Sequence, residues 1–492
     1  MLRPGVRVSL LRPKLRLDRK IEAVGGNLAA FLLFILHFTG VTILNKRDFK
    51  RYMQQGLGRC ALVLRESDNI EKYRDIVLWG CLHNLSYDTQ CEGTRAAYIY
   101  QLVSCFHDDA YFIEPTIDAF LKLPRHLDWT FEHFCELLRI FAENGSIDAK
   151  NALYKKYDAL LSSLMGKRRF RGYDCERDNF ERICISLTSL DGTDALLKIA
   201  EDMGTLFKEN PHYDIGDFAW FFSYSEGRFG KKRLASILKH EAKQSENILC
   251  LYEKYQRDRQ GLNDTVHKPM ETPTADSIIA EVGSTGKLSS ASRVKFSKYA
   301  DNGEKTQLAL YALRENELSK KAELLSAFQN EGFPIQHETI IAYSKSDYDK
   351  LSKTAFDVLT NCKSTAVKRY AYELFDSGES TYYAIQMLIF NYTPDDKSVL
   401  LAELNRLKVD YTDESGWHEI GLHILDAFDR KTRLPKECLL YIYETTLCSC
   451  CRKYAIHALA KHRWLTANII EECRYDSNCD IAEYVNRYYP SK

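Results

Sequence analysis

The apolar residues of this chain recur at helical spacing. Between Asp48 and Arg65 they fall on one side of a helix rather than on alternate positions, which is typical of an amphipathic α-helix. The same spacing predicts further helices at residues 70–85, 93–102, 111–123, 130–144, 147–165, 178–189, 194–208 and 233–257. No stretch alternates in the manner of a strand, so the pattern predicts an all-α fold.

Two segments near the C-terminus have closely similar sequences. They are V-K-R-Y-A-Y-E-L-F at residues 367–375 and C-R-K-Y-A-I-H-A-L at 451–459, each with a cation second and alanine fifth. Their separation equals two units of the roughly 40–47 residues found in paired-helix repeats. Residues 417–425 form the predicted middle copy, with Gly421 at the alanine position. Residues 351–359 also fit, at a distance that suits the two helices of one hairpin.

Composition limits the class of protein. With 492 residues, the chain is long enough for two or three domains or for one extended repeat array. Its 68 basic and 68 acidic residues cancel, so any binding of nucleic acid would depend on local patches. The fifteen cysteines are spread through apolar helical patterns, without a short disulfide framework. This distribution predicts a reducing, cytoplasmic location.

Changes in composition divide the chain into four segments. They are a basic and apolar leader at 1–44, an N-terminal helical repeat region at 45–260, a linker or long loop at 261–292, and C-terminal repeats at 293–492. Glycine, serine, threonine and proline mark the third segment. The apolar run at 28–44 could be a membrane anchor that leaves the body in the cytoplasm. It could also be part of a cleaved signal, against which the thiols argue, or precede an alternative start at Leu44.

Two cationic clusters are candidates for binding, because aromatic residues are interleaved with both. The first comprises Lys167, Arg168, Arg169 and Arg171, and the second comprises Lys231, Lys232 and Arg233. On a concave helical surface such residues could contact phosphates, whereas solvated turns between helices are the simpler interpretation. Trp220 begins an aromatic run between the clusters, and such a run suits either a core helix or a groove for a partner.

Catalytic chemistry finds less support. His83 lies near Cys81 in a block rich in polar groups, but residues two apart face different sides of a helix, so packing and a helix end explain the block better. The C-x-C-C run at 448–451 does not have the spacing of known zinc knuckles and is interpreted as buried thiols, with no metal predicted. No nucleotide-binding, metalloprotease or nucleophile-elbow motif occurs in its required context. Accordingly, no catalytic residue and no cofactor is predicted.

The phrases at 367–375 and 451–459, together with the closing D-S-N-C-D-I-A-E-Y-V at 476–485, resemble those of bacterial HEAT-repeat proteins. The resemblance covers about the last third of the chain, with looser echoes around Thr94. It implies an α-solenoid of paired antiparallel helices, in one superhelix or in two arcs joined by a linker, whose concave face binds another macromolecule.

Three functions are compatible with that resemblance, because a fold alone does not determine function. The first is a non-catalytic cytoplasmic scaffold or adaptor that binds a protein. The second is a nucleic-acid-binding or DNA-repair protein, similar to the solenoid glycosylases, which would use the two cationic clusters. The third is a subunit of a small-molecule lyase with a pocket near His83. A membrane would be a partner only if residues 28–44 formed an anchor.

Overall fold

A computed structural model describes residues 44–124, 129–166, 174–261, 272–409, 414–430 and 432–490. Within these ranges the chain forms helices and turns without any strand, which confirms the prediction of an all-α fold. None of the described helices is both long enough and apolar enough to cross a membrane. The proposed anchor at 28–44 lies outside the described residues except for Leu44, which is buried.

The described residues form two compact units. The first unit contains residues 44–261, 447–450 and 466–490, and the second contains 272–446 and 451–465, with the gaps given above. The described chain thus passes from the first unit to the second, rejoins the first briefly at 447–450, and returns to it from residue 466.

The N-terminal part of the first unit contains thirteen described α-helices. They are α1 (Lys46–Gln55), α2 (Arg59–Glu66), α3 (Arg74–Cys81), α4 (Thr89–Glu92), α5 (Ala96–Val103), α6 (Asp109–Lys122), α7 (Trp129–Glu143), α8 (Ile147–Met165), α9 (Cys175–Asp191), α10 (Thr193–Glu209), α11 (Ala219–Phe229), α12 (Lys231–Glu241) and α13 (Glu246–Gly261). Short 3₁₀ helices occur at Glu71–Tyr73, Ser104–Phe106 and Ile215–Phe218.

The remaining described helices are numbered in the same way. They are α14 (Ala275–Thr285), α15 (Ser290–Tyr299), α16 (Asn302–Arg314), α17 (Leu318–Ser326), α18 (His337–Tyr343), α19 (Asp349–Leu359), α20 (Thr365–Ser377), α21 (Thr381–Phe390), α22 (Lys397–Val409), α23 (Glu414–Asp429), α24 (Lys436–Thr445), α25 (Ser449–Lys461), α26 (Ala467–Cys473) and α27 (Cys479–Tyr488). A 3₁₀ helix at Pro394–Asp396 precedes α22.

Capping side chains explain several helix boundaries. Ser146 accepts a hydrogen bond from the Ala149 N–H at 3.2 Å, so α8 begins at the predicted residue. The predicted helix at 233–257 is instead two helices, because the Ser245 hydroxyl accepts from the Asn247 and Ile248 N–H groups at 3.2 Å each and starts α13. Part of the predicted linker is also helical. Thr274 caps α14 through the Ser277 N–H at 3.2 Å, so its polar residues act as caps there.

The C-terminal residues of the chain pack against α1 and α2 in the first unit. Arg59 Nε lies 2.7 Å from Glu472 Oε1, and the Ser477 N–H donates to the Gly56 carbonyl at 2.9 Å. A Cβ atom at Gly58 would lie only 1.9 Å from the Glu472 carbonyl oxygen. Backbone meets backbone at this point, and only glycine allows so close an approach.

The four similar phrases lie in α19, α20, α23 and α25. Their small residues are all buried, as a narrow packing stripe requires: Ala355, Ala371, Gly421 and Ala455. A Cβ at Gly421 would nevertheless meet Ile442 at an ordinary 3.9 Å, so glycine is not required there for helices to approach closely.

Candidate binding site around Arg182 and Trp220

Helix α9 is central in the first unit because α7, α8, α10 and α11 all pack against it. Polar side chains on several of its faces are therefore covered. Asp178, Asn179, Glu181 and Arg182 are each at most 5% exposed. Charged side chains are seldom buried without partners, so the contacts made by the buried side chains of α9 are informative.

The Arg182 guanidinium has one ionic partner and two aromatic neighbours. Its Nε donates to Glu132 Oε2 at 3.1 Å, and its Cζ lies 4.8 Å from the ring centroid of Trp129 and 5.4 Å from that of Trp220. The terminal nitrogens Nη1 and Nη2 are buried and have no hydrogen-bond partner in the described part of the chain. Buried donors left unpaired cost about 1–3 kcal/mol each, so this arrangement is unfavourable as it stands.

Glu181 fixes the start of the neighbouring helix. Its Oε2 accepts a hydrogen bond from the Phe221 N–H at 3.0 Å, while Phe218, at the N-cap position of α11, provides no side-chain bond. The carboxyl group thus caps α11 from another helix. Burial raises the pKa of Glu181 to about 7, and the Asp178 carboxylate also raises it, whereas the Phe221 N–H opposes the shift.

Trp220 is the exposed member of this group. Phe221, Phe222 and Ser225 form the buried side of α11, and helical geometry places Trp220 away from that side. The indole is 52% exposed and lies over the Arg182 guanidinium. Within the aromatic run the structure therefore places Trp220 at the surface, whereas Phe221 and Phe222 are buried.

The second cationic cluster is accessible to solvent. Lys231, Lys232 and Arg233 are all exposed and occupy the first turn of α12. The Lys231 ammonium lies 3.7 Å from Glu226 Oε2. Cations in this position oppose the helix dipole, so an anion placed against the turn would be favourable. The first cluster, at Lys167, Arg168, Arg169 and Arg171, lies outside the described residues.

His83 makes local contacts at the end of α3. Its Nδ1 lies 2.8 Å from the Trp79 carbonyl oxygen, and its ring stacks on Trp79 with the centroids 4.5 Å apart. Cys81 is buried, and burial raises the pKa of its thiol, so the reactive thiolate is disfavoured. The hydrogen bond and the ring stacking of His83 and the burial of Cys81 all fit the packing interpretation of this block.

Among the C-terminal thiols, Cys448, Cys451 and Cys473 are buried, and Cys479 is exposed.

Sequence reasoning did not identify Arg182, Glu181, Glu132 or Trp129. One signal was available, since residues 175–184 read C-E-R-D-N-F-E-R-I-C and place charges on the same helix turns as apolar residues. Such a helix has no wide polar face. The partners of Arg182 are distant in sequence, however, and no local pattern indicates them.

At the level of class, the fold and site define an all-helical protein whose helices pack on their sequence neighbours, with an arginine buried beneath an exposed tryptophan. No family model, curated protein or solved structure matches the chain.

Proposed function

We propose that this protein is a non-catalytic scaffold that binds another protein through a surface centred on Trp220. The observation that supports this proposal is the half-exposed indole held over a buried guanidinium. Tryptophan and arginine are enriched among the residues that dominate binding energy at protein interfaces. A large apolar ring that is half exposed removes much apolar surface from water when a partner covers it.

We also propose that each unit is a HEAT-like solenoid. In the first unit α5 packs on α7, α7 on α9, and α9 on α11, while in the second unit α17 packs on α19, α19 on α21, and α21 on α23. This succession of contacts between alternate helices is what stacked helix pairs produce. Extended surfaces made from such stacks commonly bind macromolecules.

The exposed cations on the helix after α11 favour an acidic partner. Lys231, Lys232 and Arg233 are exposed on the helix that follows α11. Complementary charges across an interface accelerate association and exclude unsuitable partners. We therefore expect the bound segment to contain both acidic and apolar residues.

Affinity capture with the full chain tests this function. Wild type, Trp220→Ala and Tyr488→Ala are immobilised, and nuclease-treated lysate is passed over each. Tyr488 is the matched control, because it is an exposed aromatic residue of the same unit, at 59% exposure. We expect a stoichiometric protein on wild type and Tyr488→Ala, with at least tenfold weaker rebinding to Trp220→Ala, as for a hot-spot residue. Equal rebinding to all three proteins would contradict the proposal.

Nucleic acid is the second candidate partner, since three exposed cations follow a tryptophan that could stack on a base. A fluorescent single-stranded oligonucleotide tests it directly. Binding should weaken steeply with salt, and replacement of Lys231, Lys232 and Arg233 by alanine should lower the salt dependence. If the oligonucleotide does not bind at low salt, this candidate is eliminated.

A further inference from the structure

We propose that Arg182 is the recognition site for a carboxylate group of the protein partner, with Trp220 as the side chain that covers the site until the partner binds. This inference rests on the proposed function and specifies the chemistry of the bound segment. The starting observation is that Nη1 and Nη2 are buried without a partner in the described part of the chain, although the side chain is only 5% exposed.

The geometry of the guanidinium suits a carboxylate. Only Nε is engaged, by Glu132 at 3.1 Å, so the two terminal nitrogens are free to donate a parallel pair of hydrogen bonds. A carboxylate accepts such a pair with both oxygens, and this bidentate arrangement is among the strongest polar contacts in proteins. A carboxylate bound in this way would satisfy the Nη1 and Nη2 donors, which otherwise have no partner in the described part of the chain.

The surrounding charges favour a single negative charge over two. Glu132 already contacts Arg182, and Glu181 and Asp178 are buried on the same helix. Asp178 is partly compensated by Arg177 at 3.3 Å. Each additional negative charge on a ligand would be repelled by these carboxyl groups. A dianionic phosphate should therefore bind more weakly than an acetate-like group.

The two tryptophan rings beside Arg182 determine how a carboxylate reaches the guanidinium. Trp129 and Trp220 both lie against the guanidinium, at 4.8 and 5.4 Å, and Trp220 is the more exposed of the two. In the proposed binding event the more exposed ring, that of Trp220, moves aside so that the ligand reaches the buried terminal nitrogens. An acidic residue beside an apolar residue can accomplish this, because its apolar neighbour packs on the displaced ring.

Acetate titration of the full chain tests the site. Tryptophan emission is followed as acetate replaces chloride at constant ionic strength, with phosphate at pH 8 as the dianionic comparison. We expect a saturable acetate response and a weaker phosphate response. Arg182→Lys, which retains the positive charge but loses the planar pair of terminal N–H donors, should bind acetate at least tenfold more weakly. Arg139→Lys is the matched control, because both ends of that guanidinium are paired with Glu136 and Glu143.

Glu132→Gln provides a test that does not remove the arginine. It eliminates the nearest competing carboxylate, so acetate should bind several-fold more tightly than in wild type, which a purely structural ion pair would not produce. The inference is wrong if neither wild type nor Glu132→Gln responds to acetate, or if Arg182→Lys responds like wild type. Capture by Trp220→Ala reports separately on the proposed function, so each can fail without the other.

Discussion

Replacement of Gly58 by alanine should detach the C-terminal helices from α1 and α2. Gly58 has φ −63° and ψ −15°, which alanine adopts without strain, so the effect is purely steric. The new Cβ would lie 1.9 Å from the Glu472 carbonyl oxygen and 2.9 Å from the Tyr475 carbonyl carbon. Ordinary contact begins near 3.4 Å, so one backbone must move by roughly 1.5 Å.

Such overpacking costs typically 1–3 kcal/mol. The movement also breaks the Arg59–Glu472 ion pair and the Ser477–Gly56 hydrogen bond, which contribute about 1 kcal/mol each. We therefore expect Gly58→Ala to lower the unfolding free energy of the first unit by about 3–5 kcal/mol. Gly227→Ala is the control, since a Cβ there meets nothing within 4 Å, and alanine should stabilise α11 slightly.

Urea unfolding followed by tryptophan emission measures this difference. Replacing Trp417 and Trp464 by phenylalanine in every variant leaves emission from tryptophans of the first unit. In a chain that ends at residue 465 the clash has no partner, so Gly58→Ala should change stability by less than about 0.5 kcal/mol there. If the substitution destabilises the shortened chain as strongly as the full chain, the steric explanation is refuted.

Three further predictions concern buried charge. The pKa of Glu181 is raised from 4.5 to about 7, so its contribution to the free energy of unfolding is complete below pH 4.5 and is lost as pH rises through 7. In urea unfolding, Glu181→Gln should therefore gain about 3 kcal/mol of stability relative to wild type between pH 4.5 and 8. Burial lowers the pKa of His133 from 6.5 to about 4, so wild type should lose about 3 kcal/mol as pH falls from 6.5 through 4, and His133→Gln should not. Arg95→Met should cost about 3–5 kcal/mol in thermal and urea unfolding, because it leaves the buried Glu92 carboxylate without the cation that now lies 2.7 Å from it. Adding Glu92→Gln should restore at least half of that loss, and an additive second loss would contradict this explanation.

Local pattern predicted much of the helical structure. Residues 147–165 were predicted as a helix with the observed bounds, since an apolar stripe and a serine cap are both written in neighbouring residues. The serine- and threonine-rich stretch after residue 261 was interpreted less well, because Thr274 and Ser289 cap helices as readily as they occupy linkers. Composition alone does not distinguish these roles.

The candidate site was only partly accessible to sequence reasoning. Trp220 was identified by its aromatic surroundings, but its exposure depends on which side of α11 faces α9. Arg182 acquires its significance from Glu132, Trp129 and Trp220, which lie far from it in sequence. The contact of Glu472 with Arg59 is of the same kind. Such pairings are fixed by tertiary packing, and a single sequence contains no direct record of them.

The packing of residues 466–490 against α1 and α2 has a consequence for synthesis on the ribosome. Residues 466–490 complete the first unit, yet they are translated only after the whole of the second unit. Until then, α1 and α2 lack the backbone that covers Gly58. Helices α1 and α2 must therefore wait for the segment that contains α26 and α27, and a nascent chain in this interval presents an incomplete surface of the kind that chaperones bind.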